Sequence, residues 1–235
     1  MNLVIDEGNS FIKAGVFQDG NLMKTFKGSI DQFQKFIEEH TFQLKLLCSV
    51  KKSSSVLDVI SDCVEFNYHT SLPFSIDYTT PQTLGMDRIA AIVGSSVIKP
   101  NENNLVIDIG TCITYDLLID NTFKGGIISP GVKLRNTSMH NYTSALPLVS
   151  HELQKHPDLV GRNTEGALLS GIFNGISAEI NGMIDTMKAS FSIKNIFITG
   201  GDAIFFESKI KAPIFVDPEL VLKGLNKILL YTNDL

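Results

Sequence analysis

The sequence predicts an α/β protein built from two similar lobes, each with a mixed β-sheet. The segment Asn2–Gly8 recurs at Asn104–Gly110 and differs only where Glu7 faces Ile109. In both halves, strand-like segments are followed by alternating helices and strands. The chain has 235 residues, of which 43% are hydrophobic, and this is enough for two lobes with a core. We therefore expect lobes at residues 1–102 and 103–235.

Each recurring segment is a short apolar run that ends in Asp-x-Gly. Short apolar segments often match by chance, so two unrelated buried strands of similar composition are the alternative. Packing explains the apolar residues. It does not explain why an aspartate and a glycine follow both of them, because a carboxylate at a strand end needs partners. We therefore favour a duplication.

The first half predicts an antiparallel meander, because polar turn residues separate its strand-like segments. Helical periodicity and polar helix starts then indicate α/β alternation. The predicted strands are Leu3–Ile5, Ser10–Phe17, Leu22–Lys27, Leu44–Val50 and Glu65–Tyr68. The predicted helices are Ile30–His40, Ser53–Cys63 and one that opens at Pro81–Arg88.

The second half repeats this order. Strands are predicted at Leu105–Ile107, Thr111–Ile119, Asn121–Ile127 and Ile196–Thr199, and helices at Asn163–Phe191 and Glu219–Tyr231. The last strand leads into Gly200-Gly201-Asp202, which suits a strand-to-helix turn, although any tight turn can use two glycines. The doubled plan resembles the ribonuclease-H-like lobes of the actin, hexokinase and Hsp70 superfamily of ATPases. This resemblance implies that ATP binds in a cleft between the two lobes.

Composition and charge argue against several classes of protein. The net charge is −5 and no run of Lys and Arg is present, so we expect no nucleic-acid partner. No apolar segment approaches the ~20 residues that cross a bilayer, and the start does not resemble a signal peptide. We therefore expect a cytoplasmic protein without a membrane partner. Its 3 cysteines have no Cys-x-x-Cys spacing and predict neither disulfides nor a zinc site.

The two Asp-x-Gly turns are candidate phosphate sites. Gly8 and Gly110 would let backbone N–H groups approach phosphate oxygens, and a neighbouring carboxylate could hold a cation or its waters. Lys13 would add a positive charge. A strand lysine that points to solvent is an equally good interpretation of Lys13.

The segment Gly85-Met86-Asp87-Arg88, before a predicted helix, is stronger evidence of a specific function than the two Asp-x-Gly turns. An Asp-Arg pair at this position is more often a helix cap with a surface ion pair. The functional interpretation needs a carboxylate that accepts a proton from a substrate hydroxyl and a guanidinium that binds a substrate carboxylate.

Six motifs in order resemble those of the type III pantothenate kinases, from residue 3 to beyond residue 200. The motifs are Asp6-Glu7-Gly8-Asn9-Ser10-x-x-Lys13, Tyr78-x-x-Pro81-x-x-Leu84-Gly85-x-Asp87-Arg88, Asp108-x-Gly110-Thr111-x-x-Thr114-x-Asp116, Gly125-Gly126-x-Ile128-x-Pro130-Gly131, Gly161-Arg162-Asn163-Thr164 and Gly200-Gly201-Asp202-Ala203. Glu7, Ser10 and Cys112 depart from the usual pattern, but none of these departures removes a proposed catalytic group.

The resemblance implies ATP-dependent phosphorylation of pantothenate at its primary hydroxyl, the first step of coenzyme A biosynthesis. It implies that Asp87 is the general base and that Asp108 binds a monovalent cation, K⁺ or NH₄⁺. It implies a homodimer, with the pantothenate pocket completed by the partner subunit. The implied pantothenate-binding residues are Tyr78, Gly85, Met86, Arg88 and Thr164. The implied ATP-binding residues are Asp6, which also faces the Mg²⁺ carried by ATP, and Gly8, Asn9, Ser10, Lys13 and Thr111.

Two other functions stay open at this stage. One is a non-catalytic regulatory protein on the same scaffold, which could lose Asp87 or Asp108 without consequence. The other is a kinase of the same superfamily that acts on another small acceptor, because fold alone does not separate these enzymes. For the dimer, Gly125–Gly131 and the helix near Leu168–Ile180 are candidate interface elements, and each could equally be core.

Overall fold

The computed structural model describes residues 1–9, 11–51, 53–150 and 156–233, and it confirms an α/β fold with two mixed sheets. The strands are β1 (Asn2–Glu7), β2 (Ile12–Gln18), β3 (Asn21–Gly28), β4 (Leu44–Ser49), β5 (Val64–Glu65), β6 (Ser75–Ile76), β7 (Asn104–Ile109), β8 (Cys112–Ile119), β9 (Thr122–Pro130), β10 (Asn195–Thr199) and β11 (Phe215–Val216). The α-helices are α1 (Ile30–Glu38), α2 (Met86–Ile98), α3 (Val132–Asn141), α4 (Thr164–Ser190), α5 (Ala203–Glu207) and α6 (Leu220–Asn233).

The two sheets share one topology. In the first, the strand order is β3-β2-β1-β4-β5; β1 pairs antiparallel with β2 and parallel with β4. In the second, the order β9-β8-β7-β10-β11 repeats this pattern, with β7 antiparallel to β8 and parallel to β10, and β6 adds a sixth strand beside β9. The order of strands along the chain and across the sheet is thus the same twice, as the recurring segments predict.

The chain forms two compact units. The first comprises Met1–Glu102, Asp120–Lys124 and Glu219–Leu235, and the second comprises Asn103–Ile119 and Gly125–Pro218. The first unit therefore gains helix α6 and the β8–β9 turn from the second half of the sequence. Within it, the start of β9 pairs in parallel with β6, where Ser75 faces Thr122 and Ile76 faces Phe123.

The first unit packs helices on both faces of its sheet. On one face, Leu3, Ile5 and Ala14 form a core with α1 that includes Phe33 and Phe36. On the other face lie α2 and α6, which pack against each other and against the sheet. Small residues permit the close approach, because a side chain at Gly224 of α6 would overlap the Ala90 carbonyl of α2.

The second unit has its core between its sheet and helices α3 to α5. The alternating residues Ile107 and Ile109 of β7, Tyr115 of β8 and Ile198 of β10 face this core. Their neighbours Asp108 and Thr199 therefore point to the opposite face of the sheet. The apolar stripe of α4 lies in this core, so it is a packing face; its core-lining residues are Leu169, Ile172, Ile176 and Ile180.

Two predicted elements are wrong in extent. The helix predicted at Ser53–Cys63 is only a 3₁₀ turn at Ser55–Asp58, with Asp62 in a left-handed conformation. The serines of this segment form hydrogen bonds that do not start a longer helix. The Ser54 hydroxyl accepts a hydrogen bond from the Val56 amide, and the Ser55 hydroxyl donates one to the Glu7 carboxylate. The strand predicted at Glu65–Tyr68 is the two-residue β5, since an Asn67 turn follows it.

The helix predicted to open at Pro81 begins later. Pro81–Thr83 forms a 3₁₀ turn, and α2 starts at Met86 after the N-cap Gly85. Helix α4 begins and ends within one residue of its prediction, because Asn163 caps its first turn. No helix in the described part of the chain has the length and apolar character of a membrane-spanning segment.

Candidate active site

The first part of the candidate site lies at the carboxyl end of β1, in the first unit. Asp6 faces Lys13 across the β1–β2 ladder and Cys48 across the β1–β4 ladder, so the three side chains share one face of the sheet. It is the face against which α2 and α6 pack, because the neighbouring residues Leu3 and Ile5 point to the opposite core. Lys13 is half-buried rather than fully exposed.

The turn after Asp6 is tight and open to solvent. The Gly8 amide donates a hydrogen bond to the Phe11 carbonyl at 3.1 Å, which leads the chain directly into β2. Among the described residues, a side chain at Gly8 would find only this carbonyl within 4 Å, so these residues leave open space above the glycine. Asn9 is exposed, and Ser10 lies outside the described residues.

Glu7, a departure from the family pattern, is fully buried on the opposite face from Asp6. Its carboxylate accepts hydrogen bonds from Ser49 at 2.8 Å, Lys51 at 3.1 Å and Ser55 at 3.2 Å. Burial raises the pKa of Glu7, but hydrogen bonds from the neighbouring serines and Lys51, together with the Lys51 charge, outweigh this effect, so the pKa is lowered overall. Glu7 therefore ties β1 to the segment after β4.

The second part of the site is the start of helix α2. Gly85 is the N-cap, and Asp87 lies in the first turn, where its Oδ1 accepts a hydrogen bond from the Arg88 amide at 2.9 Å. A side chain at Gly85 would contact this carboxylate. Burial raises the pKa of Asp87 despite the Arg88 hydrogen bond and charge. Asp87 is thus not the cap residue, and Arg88, at 8% exposure, is not on the surface.

Asp6 and Asp87 act on a common neighbour. Burial and then the negative charges of Asp6 and Asp87 raise the pKa of the Cys48 thiol well above its ordinary value. Both carboxylates are therefore near enough to Cys48 to oppose ionisation of its thiol. Cys48, Cys63 and Cys112 are all free, and of the three only Cys48 is fully buried.

Sequence analysis missed one residue of this region, Phe123. Its fully buried ring lies 6.1 Å from the ring of Tyr78, and the guanidinium carbon of Arg88 lies 6.0 Å from its centroid. Next to it, Lys124 forms an ion pair with Asp77 at 3.0 Å. The β8–β9 turn thus joins two predicted substrate residues, and no local motif revealed this because the pairing partner, β6, is distant in sequence.

The second unit brings three other predicted motifs together. Asp108 lies at the end of β7, and the Gly110 amide donates to the Cys112 carbonyl at 2.9 Å. Gly200 has φ +99°, and a side chain there would overlap the Asp108 carboxylate. Gly131, the N-cap of α3, donates its amide to the Thr111 carbonyl at 3.0 Å. Thr111 itself is exposed.

Thr164 is the first residue of α4, and its side chain is exposed. The Asn163 side chain accepts a hydrogen bond from the Gly166 amide at 2.7 Å. Gly161 packs so closely on this first turn that a side chain would overlap the Ala167 amide. Residues 161–164 therefore form a closely packed helix N-terminus, at which the Thr164 hydroxyl is exposed and available to bind a ligand.

The donor set fits magnesium that arrives with ATP. In the described ranges, no group of three or more His, Cys, Asp and Glu side chains could hold a metal ion by itself. The phosphates of ATP and a Mg²⁺ ion that keeps most of its waters would fit this end of β1. It offers the half-buried carboxylate of Asp6, the open turn at Gly8 and the positive charge of Lys13.

Comparisons with known proteins show which proteins this chain resembles. The family model of the type III pantothenate kinases matches residues 2–186. The type III pantothenate kinase of Cytophaga hutchinsonii is 43% identical over 98% of this chain and 99% of its own. That of Phocaeicola vulgatus is 37% identical over 100% of both chains.

Among solved structures, a Campylobacter jejuni protein described as a candidate Baf family transcriptional activator matches with TM-score 0.68 and 26% identity over 99% of this chain and 100% of that chain. Component A of the Acidaminococcus fermentans (R)-2-hydroxyglutaryl-CoA dehydratase matches with TM-score 0.58 and 14% identity over 99% of this chain and 97% of that chain. The second of these shows the fold alone.

Proposed function

We propose that Asp87 is the general base of this chain, which belongs to the type III pantothenate kinase family. The protein phosphorylates pantothenate with ATP, the first step of coenzyme A biosynthesis, and ATP carries a divalent metal ion. The raised pKa of Asp87 is the observation that supports the proposed role, because a stronger carboxylate base accepts a hydroxyl proton more readily.

In the proposed reaction, the Asp87 carboxylate accepts the proton of the pantothenate primary hydroxyl. The freed oxygen attacks the γ-phosphorus of ATP, a new O–P bond forms, and the bond to the β-phosphate oxygen breaks to release ADP. Such transfers need positioning and charge neutralisation more than covalent chemistry. Mg²⁺ would supply charge neutralisation on the phosphates.

The other pantothenate residues have proposed roles in binding. Arg88 would bind the pantothenate carboxylate through its planar guanidinium, because this group matches a carboxylate in two parallel hydrogen bonds. Tyr78 and Met86 would contact the substrate, and Gly85 leaves room beside Asp87. Thr164 would close the pocket from the exposed start of α4.

For ATP, the β1–β2 turn of the first unit would meet the phosphates. Asp6 would face the magnesium ion through its waters, and Lys13 would neutralise phosphate charge. Gly8, Asn9 and Ser10 would contribute turn contacts. In the second unit, Thr111 would contribute a further contact; it is joined to the start of α3, whose first N–H groups lack helical partners.

We also propose that Asp108 binds a monovalent cation, K⁺ or NH₄⁺, and that the enzyme is a homodimer in the cytoplasm, where ATP is available. Large apolar side chains are exposed in the second unit and support a subunit contact. Examples are Ile128 at 62%, Tyr142 at 88%, Leu159 at 79% and Val160 at 74% exposure.

The test is ADP release with ATP, Mg²⁺ and pantothenate, in K⁺ and in Na⁺, for wild type, Asp87→Asn and Asp31→Asn. Asp31 is the matched control because it is also an aspartate in the first turn of a helix. Asp87→Asn should lose roughly 10²–10⁴-fold in kcat. Asp31→Asn should keep wild-type turnover.

Equal effects of the two substitutions would contradict the general base. Folded wild-type protein that binds ATP but never releases ADP would favour a regulatory protein, the description that the Campylobacter relative carries. Turnover only with another small acceptor would keep the kinase and remove pantothenate as the substrate.

A further inference from the structure

One buried hydroxyl lacks a partner. Within residues 1–9, 11–51, 53–150 and 156–233, Thr199 Oγ1 is the only buried side-chain oxygen or nitrogen without a hydrogen bond. Thr199 is the last residue of β10 and is 1% exposed. An unpaired buried hydroxyl destabilises a fold, so its presence points to a group that binds it.

The same two strands satisfy an equivalent pair at their other end. Asn195 faces Asn104 in the β10–β7 register, both are buried, and the Asn195 amide donates to the Asn104 carbonyl oxygen at 2.9 Å. Four residues further along both strands, Thr199 faces Asp108. The unpaired hydroxyl therefore lies at the end of the sheet that carries Asp108 and Gly200.

Three oxygen-bearing side chains form a row there. Thr199 of β10, Asp108 of β7 and Thr114 of β8 are direct neighbours in the parallel and antiparallel ladders. Their strand neighbours Ile107, Ile113 and Ile198 face the core, so the row shares the opposite face of the sheet. A carboxylate between two hydroxyls is a donor set for a hard cation of low charge.

The adjacent backbone packs closely against this row. Gly200, at φ +99°, follows Thr199, and a side chain at Gly200 would overlap both the Asp108 carboxylate and the Ile109 carbonyl. The Asp202 amide donates to that carbonyl at 2.9 Å and fixes the turn. Only glycine leaves space beside Asp108 while the backbone adopts this conformation.

We infer that the Thr199 hydroxyl is a ligand of the monovalent cation at Asp108. This rests on the proposed cation role of Asp108 and adds the residue that the unpaired oxygen identifies. Thr199 accepts no proton and makes no covalent bond; its oxygen binds the ion through a lone pair. The same hydroxyl would otherwise need a buried water, which would be held whether or not a cation is present.

The test is the melting temperature in KCl and in tetramethylammonium chloride at equal ionic strength, without ATP or pantothenate. Wild type, Thr199→Val, Thr199→Ser and Asp108→Asn are compared. Valine keeps the shape and loses the hydroxyl, whereas serine keeps the hydroxyl and loses a methyl group. A titration with KCl gives the half-saturating concentration for each variant.

Wild type should melt at a higher temperature in KCl, and Thr199→Ser should keep this difference. Thr199→Val should need at least about tenfold more K⁺ for the same rise, as expected for a lost contact to an ion. In tetramethylammonium chloride it should melt at or above the wild-type temperature, because an unpaired buried hydroxyl has been removed.

Three results would overturn the inference. Thr199→Val could keep the full K⁺ response while Asp108→Asn loses it, in which case the cation site stands without Thr199. Thr199→Val could also melt below wild type in tetramethylammonium chloride with an unchanged K⁺ response, as a purely structural hydroxyl would require. A wild type that does not respond to K⁺ at all would remove the cation site itself.

Discussion

At the scale of single residues, the proposed catalytic carboxylate is held in an environment that opposes its charge. Asp87 is in the first turn of α2, where burial raises its pKa above the ordinary value although the Arg88 amide and charge act in the other direction. A group whose folded pKa is raised binds protons more tightly in the native state. The stability of the protein therefore falls as the pH rises through the raised pKa of Asp87.

Asp87→Asn should accordingly melt at a higher temperature than wild type near neutral pH, although it loses activity. The amide oxygen can still accept the hydrogen bond from the Arg88 amide, and the buried charge is gone. The difference should shrink in acid, where Asp87 is protonated in the wild type. Calorimetry from acid to neutral pH measures this; a variant that melts lower than wild type at neutral pH contradicts it.

The dependence of wild-type activity on pH should also report the ionisation of Asp87. Since the base must be ionised to accept a proton, kcat/KM should fall as the pH drops through the pKa of Asp87, at a higher pH than for an ordinary aspartate. The measurement is kcat/KM for pantothenate against pH with saturating Mg²⁺ and ATP. A flat profile through the mildly acid range would contradict Asp87 as the base.

At the scale of elements, the β8–β9 turn supports the start of α2. The ring of Phe123, the second residue of β9, lies 6.1 Å from the ring of Tyr78 and faces the Arg88 guanidinium at 6.0 Å. Phe123→Leu should raise KM for pantothenate roughly 2–30-fold, equivalent to the ~0.5–2 kcal/mol of a cation–π contact, and leave KM for ATP unchanged. Phe33→Leu, at another fully buried ring, is the control and should alter stability alone. Equal KM for both variants would show that Phe123 only fills space.

The crossing of α2 and α6 is a second element-scale feature. Because a methyl group at Gly224 would overlap the Ala90 carbonyl, Gly224→Ala should destabilise the protein by about 1–3 kcal/mol. Gly182→Ala in α4 is the matched control: its site is open, and alanine should stabilise the helix by about 0.5–1 kcal/mol. Urea unfolding measures both; a Gly224→Ala variant as stable as wild type would contradict the close packing.

At the scale of the whole molecule, the proposed dimer can be tested through its exposed apolar residues. Ile128 of β9 is 62% exposed, and Met23 of β3 is exposed to the same extent in the first unit. Ile128→Asp should lower the molar mass measured by light scattering from that of a dimer to that of a monomer, and Met23→Asp should not. A wild-type protein that is monomeric at assay concentration would contradict the proposal.

The sequence by itself determined the repeated plan. Asn2–Gly8 and Asn104–Gly110 recur because both are buried central strands that end in a turn, and local apolar patterning records this directly. The motif order indicated the pantothenate kinase family, which the comparisons show. The proposal of two copies, residues 1–102 and 103–235, still rests on this repeat and on the matching strand orders.

Only the tertiary structure decided what surrounds those motifs. It assigned α6 to the first unit, brought Phe123 beside Arg88, and made Glu7 a buried hydrogen-bond acceptor. It also left the Thr199 hydroxyl next to Asp108 without a partner. These facts depend on pairing between segments far apart in the chain, and local periodicity carries no information about which distant segments pair.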